Sequence, residues 1–216
     1  MSLNIAVIGS TGLIGKQFLE SIREGEYQSV NAITRRLISS LDGKPFINQV
    51  IHDFSDLSAM RNDLKADVLV CALGTTIKTA GSQEEFTRVD HDLPLAIARI
   101  AQEEGCQRMI LISSVGASAQ SSIFYSRTKG LLEEALDDVG FEALHILRPS
   151  MLLGDREESR PGEFAGKIFM KPLASLIPWK YRPIQAATVA AAIQRSIASD
   201  QAGKQVWEGK ALFDLS

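Results

Sequence analysis

Tyr125 and Lys129 lie four residues apart in the segment Tyr125-Ser126-Arg127-Thr128-Lys129. On a helix that spacing puts a phenol and an ammonium one turn apart on the same face. The pairing suits proton transfer. A phenol titrates at about pH 10 and is a poor acid–base near neutrality. An ammonium beside it stabilises the phenolate and eases its ionisation. Upstream, the apolar run Arg108-Met109-Ile110-Leu111-Ile112 ends in Ser113-Ser114. A serine at such a strand end can hydrogen-bond a carbonyl or alcohol oxygen while the tyrosine moves the proton. The spacing alone is a weak signal. Its bland alternative is that Ser113 and Ser114 merely end a strand and Tyr125 packs on a helix surface.

The context that favours chemistry is at the start of the chain. An apolar run, Leu3 to Ile8, leads into Gly9-Ser10-Thr11-Gly12-Leu13-Ile14-Gly15, and a helix-like stretch, Lys16 to Ile22, follows. Strand, three glycines at a spacing of three, then helix is the arrangement that holds the pyrophosphate of a dinucleotide. Gly9 permits the tight turn, Gly12 lets the backbone approach the phosphates, and Gly15 lets the helix pack close to the strand. Free N–H groups at the helix start face the negative charge. The next strand ends Thr34-Arg35-Arg36. An acid there would sit on ribose hydroxyls and repel a 2′-phosphate, whereas arginine binds one in bidentate fashion. Arg35 and Arg36 therefore favour NADP (NADPH) over NAD, against the plain alternative of two solvated arginines. Asp53, after the third strand, can accept from an adenine amino group or cap the next helix. Ser55 or Asp56 could do that capping instead.

These groups need a scaffold, and the sequence supplies one. Strand-like runs at Ile5–Ile8, Val30–Thr34, Gln49–His52, Asp67–Ala72, Arg108–Ile112 and Ala143–Leu147 alternate with helix-like segments. Those segments run from Gly12 to Gly25, from about Leu57 to Leu64, from about Ser82 to Glu104 as one long helix, and from about Phe124 to Asp138. Near-continuous apolar strands separated by helices predict an α/β fold, a doubly wound and mostly parallel sheet covered on both faces. Hydroxyls at the carboxyl edge of a central strand then point into the ligand crevice. A helix from about Ala186 to Ser199 and a last strand at Lys204–Glu208 complete the chain. Residues 1–216 read as one domain, with 150–185 as a small substrate or lid insertion. Within it, the charged run from Asp155 to Glu163 could close over substrate, pair with another subunit, or be solvated. Phe164, Phe169, Trp179 and Tyr181 could line a pocket or form lid core.

Composition removes other classes. A net charge of −3 gives no footprint for nucleic acid. No apolar run approaches the ~20 residues that span a bilayer. Cys71 and Cys106 carry no metal spacing, and Cys71, ending an apolar run, reads as a small buried hydrophobe; no disulfide framework is indicated, which fits a reducing compartment, so a cytoplasmic location is expected. His52, His91 and His145 are too scattered for a zinc site.

The glycine turn, the Ser-Ser strand end and Tyr125-xxx-Lys129 resemble the short-chain dehydrogenase/reductase superfamily, which has the Rossmann fold. The chain is similar above all to an atypical branch, the Tat-interactive protein family of NADP-binding oxidoreductase-like proteins. The segments that carry this are Cys71 to Thr76, Ser113 to Ala117, Leu147-Arg148-Pro149 and Asp155 to Glu163. The resemblance implies that Ser114 is the catalytic serine, with Ser113 beside it against the cofactor. It implies that Tyr125 is the acid–base and Lys129 its partner. It further implies that Leu73, Gly74 and Thr75 line the cofactor, and that Pro149 and Ser150 flank its nicotinamide end. Two departures leave the full proton relay open. Cys71-Ala72-Leu73-Gly74 replaces the common Asn-Asn-Ala-Gly turn, and the Asn usual on the next helix is replaced near Val89-Asp90-His91. Two readings follow. One is an NADP-dependent oxidoreductase acting on a small carbonyl or alcohol. The other is a non-catalytic NADP(H) sensor that gates a protein partner. Association with such a partner, or with a second copy of the chain, is left open.

Overall fold

The computed structural model describes residues 3–154 and 177–216. Its strands are β1 (Asn4–Ile8), β2 (Ser29–Thr34), β3 (Ile47–Ile51), β4 (Val68–Cys71), β5 (Arg108–Ile112), β6 (Ala143–Arg148), β7 (Leu152–Leu153), β8 (Ile184–Gln185) and β9 (Gly203–Glu208). Seven of them form one sheet in the order β3-β2-β1-β4-β5-β6-β9. Every neighbouring pair in it is parallel. The chain winds outward from β1 to β3, then returns to β4 on the other side of β1. The junction of β1 and β4 is the switch point where a crevice opens beyond the carboxyl ends.

The helices are α1 (Leu13–Ser21), α2 (Ile77–Ala80), α3 (Gln83–Thr87), α4 (Leu93–Glu103), α5 (Phe124–Ala135), α6 (Ala186–Ala198) and α7 (Lys210–Leu215). Strand residues alternate between the two faces of the sheet. Ile5, Val7 and Ile110 pack with Phe18 and Leu19 of α1 and with Val189 and Ile193 of α6. Ala6, Ile8 and Met109 pack with Ile97 and Ala98 of α4, with Leu132 of α5 and with Leu136 just after it. Burial on both faces is what turns these strands into unbroken apolar runs.

Two expectations change. The segment Leu57–Leu64 is a 3₁₀ helix, capped by Asp56, whose carboxylate accepts from Ser58 N–H. The helix expected from Ser82 to Glu104 is interrupted by a π turn over Arg88–Asp92. Pro94, at the start of α4, has no N–H to give and its ring crowds the preceding turn, so the backbone widens upstream of it. The strand expected at Lys204–Glu208 is present as β9 and joins the main sheet beside β6. The ends of the 150–185 segment meet in the β7–β8 ladder. The charged run from Asp155 to Glu163, and Phe164 and Phe169, lie outside the described residues.

Candidate functional site

The glycine turn closes under steric compulsion. Gly9 has φ +78°, and a Cβ on it would lie 2.3 Å from the carbonyl carbon of Ala72. A Cβ on Gly15 would lie 2.3 Å from Gly9 O. Any side chain at either position would push β1, β4 and α1 apart. Gly12 and Thr11 are exposed at the rim, and Leu13 is half-buried. No side chain caps the start of α1 among the described residues. Its first-turn N–H groups are therefore left for a ligand, which fits an anionic pyrophosphate. Two residues of the motif turn inward. Ile14 enters the core. Ser10 donates its hydroxyl to Val7 O at 3.0 Å and Ile33 O at 3.2 Å. Its side chain thus braces the turn against the end of β2 and does not face a ligand.

At that end of β2, Thr34 Oγ1 donates to Arg36 O at 2.8 Å, folding the chain so that Arg35 and Arg36 are both exposed at the carboxyl edge. Asp53 does not cap the next helix, a task Asp56 performs. Its carboxylate instead accepts from Ser55 N–H at 2.8 Å and Ser55 Oγ at 2.6 Å. The Ser55 hydroxyl holds it below the usual carboxylate range. Phe54, immediately after it, has φ +64°, a strained backbone for a bulky residue.

The structure separates the two serines. Ser113 is buried, and its hydroxyl donates to Glu133 Oε1 of α5. Glu133 is held in turn by Arg148, whose Nε donates to Oε1 at 3.0 Å and whose Nη2 donates to Oε2. Ser113 is thus committed to the scaffold and not turned to a cofactor. Ser114 is half-buried, with its hydroxyl uncommitted among the described residues. The loop after it is clasped from three sides. Val115 N–H donates to Pro149 O at 2.9 Å, and Gly116 N–H donates to Glu208 Oε1 at 2.9 Å. Ser118 N–H donates to Ser126 O at 3.1 Å. Burial raises Glu208, but Gly116 N–H and the Lys180 ammonium outweigh it and hold the carboxyl below its usual range. Pro149 is itself buried beneath this loop, and the Ser150 hydroxyl is tied to Arg182 O.

Tyr125 and Lys129 are brought together on α5. The Tyr125 ring packs on Phe86 at 5.4 Å between centroids. Lys129 is buried, and its ammonium lies 2.8 Å from Asp90 Oδ1. Burial pulls the lysine down, yet the Asp90 charge and the neighbouring Tyr125 more than offset this, so it sits above its ordinary range. Asp90 Oδ2 accepts Thr75 N–H at 2.8 Å, and Gly74 lies over the pair. Leu73 is half-buried and Gly74 exposed, at the mouth of the crevice.

Asp90, Glu133, Arg148 and Glu208 are the residues that sequence reasoning left without a role. A signal was present for two of them. Asp90 falls four residues after Phe86 and Glu133 four after Lys129, so each occupies the inward face of its element. The remaining candidates divide by burial. Cys71 and Cys106 are buried free thiols, each pushed up to about 11 by burial. His52 pairs with Asp63, and His91 with Asp92. Trp179 and Tyr181 lie at the surface, 42% and 58% exposed, and so are not lid core; Trp179 packs edge-on against Phe213 of α7. Among the described residues no His, Cys, Asp or Glu cluster could hold a metal, and no helix is long and apolar enough to cross a membrane.

A parallel sheet in this order, with the glycine turn at its switch point, is a doubly wound, Rossmann-like architecture. Within that class the chain belongs to the HIM1 family, whose model matches residues 48–180. The rat protein HTATIP2 is 33% identical over 216 residues, 98% of this chain and 88% of its own length. The protein named "fmp52, mitochondrial" of Emericella nidulans is 36% identical over 179 residues, 80% of this chain and 77% of its own. The NAD complex of WbmG from Bordetella bronchiseptica superimposes with a TM-score of 0.72 at 14% identity, over 96% of this chain and 73% of that one. That likeness is one of fold. The fmp52 name corrects the cytoplasmic expectation and points away from that location. Two buried thiols require a reducing compartment at most, and the cytoplasm is only one of these.

Proposed function

We propose that this chain is an NADP(H)-dependent oxidoreductase that passes hydride between the nicotinamide and the carbon of a small carbonyl or alcohol. The observation that carries this is the buried Lys129 beside Tyr125, on the helix that packs against the Ser114 loop, where Ser114 keeps its hydroxyl uncommitted. The glycine turn and the uncapped start of α1 hold the pyrophosphate. Arg35 and Arg36 receive the 2′-phosphate, and the Asp53–Phe54 turn receives the adenine. Leu73 to Thr75 line the nicotinamide side. The bound nicotinamide supplies or accepts the hydride. Ser114 Oγ donates a hydrogen bond to the substrate oxygen. Tyr125 Oη gives that oxygen its proton during reduction and takes it back during oxidation. Lys129 steadies the charge left on the phenol and grips the ribose.

The test is NADPH oxidation across a panel of aldehydes, ketones and quinones, with Tyr125→Phe as control. Turnover lost in Tyr125→Phe, with NADPH affinity kept, is the expected result. Turnover that survives the substitution removes Tyr125 from the mechanism. Tight NADPH binding with no turnover on any substrate would instead make the chain a nucleotide sensor. The names of its relatives, which state no activity, leave room for that outcome.

A further inference from the structure

Ser114 sits between two anchored neighbours. On one side the Ser113 hydroxyl is fixed to Glu133, and on the other Gly116 N–H donates to Glu208 Oε1 at 2.9 Å. The two carboxylates are linked through Arg148. Its guanidinium grips Glu133, and its charge also acts on Glu208, its register partner across the β6–β9 ladder. The second oxygen of Glu208, Oε2, lies 3.0 Å from Lys180 Nζ. Glu133, Arg148, Glu208 and Lys180 thus alternate in sign from the buried side of the Ser114 loop to the protein surface.

The pin on Gly116 is placed where the loop would pivot. Ser114 opens a turn closed by Ala117 N–H, which donates to Ser114 O at 3.1 Å. Gly116 is the third residue of that turn, with φ +76°, the left-handed backbone that a glycine adopts without strain. Gly116 is exposed, so water could satisfy its N–H. The bond to Glu208 therefore aims the turn and does not rescue a buried donor. The other side of Glu208 is equally specific. Lys180 belongs to the 3₁₀ turn Trp179–Tyr181, on the returning arm of the 150–185 segment. Trp179 there packs against Phe213 at 5.4 Å and carries the Arg182 guanidinium 4.0 Å over its ring. A Cβ on Gly209, next to Glu208, would stand 3.1 Å from Lys180 Cα, so the chain after β9 lies directly against the arm.

We propose that Glu208 is a positioning residue for Ser114: it pins the Gly116 amide, fixes the turn that Ser114 opens, and joins that turn through Lys180 to the returning arm. This rests on the reading of Ser114 as the hydroxyl that meets the substrate oxygen, and two readouts keep the two claims apart.

The first readout needs no turnover. In protein made with carbonyl-labelled valine and nitrogen-labelled glycine, only Gly116 and Gly140 follow a valine. Their amides are then resolved by nuclear magnetic resonance, and Val139→Ile removes the Gly140 signal to tell them apart. Hydrogen exchange at Gly116 is expected to quicken by about ten-fold in Glu208→Ala, since the lost acceptor is charged. Glu208→Gln keeps an acceptor and should restore part of the protection. Lys180→Met removes an exposed ionic partner and should quicken exchange by about two-fold. Gly140 is the internal reference and should not respond. The second readout is kinetic. Glu208→Ala should lower kcat by about ten-fold through a misplaced Ser114 and leave the KM for NADPH within about two-fold. In a Ser114→Ala background it should lower kcat no further, because the two residues act as one unit. A residue that merely supports the fold would lower kcat in both backgrounds. Circular dichroism establishes that each variant is folded, and Glu208→Gln takes the place of Glu208→Ala if the latter is not. Unmoved Gly116 exchange in the Glu208 or Lys180 variant, or equal kcat losses in the two backgrounds, overturns the proposal. Absence of NADPH-linked turnover would overturn the oxidoreductase reading alone, and Gly116 exchange would then decide the pin by itself.

Discussion

The Ser113 hydroxyl donates to the buried carboxylate of Glu133, and this one bond divides the labour between two adjacent serines. Ser113 belongs to the scaffold and Ser114 to the crevice. Ser113→Ala removes a hydrogen bond to a charged group and should lower unfolding stability by about 1.5–3 kcal/mol. The low end is expected, because Arg148 still satisfies Glu133. Ser114→Ala removes a half-buried hydroxyl that makes no hydrogen bond among the described residues and should change stability by less than about 0.5 kcal/mol. Its effect belongs to turnover, where loss of one hydrogen bond to the substrate oxygen should lower kcat/KM by about ten-fold or more. Urea unfolding and NADPH-linked kinetics on both variants check the division, and equal effects on both observables would contradict it.

Gly130 sets how close α5 comes to the Ser114 loop. A Cβ there would stand 2.1 Å from the carbonyl carbon of Ser118 and 2.2 Å from the nitrogen of Ala119. Both atoms are backbone and cannot swing aside. Gly130→Ala, normally favourable inside a helix by about 1 kcal/mol, should here destabilise by about 1–3 kcal/mol through overpacking. It should also displace Tyr125 and Lys129, which share that helix. Thermal unfolding is the measurement, and a rise in Tm would show that the loop can yield.

The frame of this site was legible in the sequence because local rules fix it. Gly9, Gly12 and Gly15 announce the turn by their spacing. The two-sided burial of β1, β4 and β5 announces a parallel sheet. What escaped depends on contacts between distant segments. Nothing in Ser113-Ser114 says which hydroxyl turns inward, since that follows from the position of Glu133 and Arg148. The apolar periodicity around Leu93 to Ala101 reads as one helix, and only Pro94 hints at the π turn that buries Asp90. The location was misread for a different reason: cysteine chemistry reports the redox state of a compartment and not its identity.

Arg35 stands exposed at the carboxyl end of β2, where a 2′-phosphate on the adenine ribose would lie. A charge-assisted hydrogen bond is worth about 1.5–3 kcal/mol, and each 1.4 kcal/mol is ten-fold in affinity. Arg35→Ala should therefore weaken NADPH binding by about ten-fold or more and leave NADH binding within about two-fold. The preference should also weaken with added salt, because the arginine is exposed. Calorimetric titration of both nucleotides into both proteins decides it. Equal losses for NADPH and NADH would mean that Arg35 does not read the 2′-phosphate.

His145 provides a test of acid stability. It is wholly buried in β6, with Nε2 set 3.1 Å from Gln201 O. Burial pulls it below its ordinary value of 6.5, and the Arg108 charge adds to that, against the opposing bond to Gln201. The folded state therefore binds the proton less readily than the unfolded chain. As pH falls below about 6.5 the unfolded state takes up more protons, so stability declines with falling pH until the lower, folded value is passed. Above 6.5 both states are neutral at this residue and its titration has no effect. Replacing His145 with Asn removes the titration, so unfolding free energy against pH should be flatter just below 6.5 than in wild type, even if its plateau is lower. Urea midpoints measured from pH 5 to pH 8 give both curves. Parallel curves through that window would mean that His145 takes up its proton as easily in the folded sheet as in the unfolded chain.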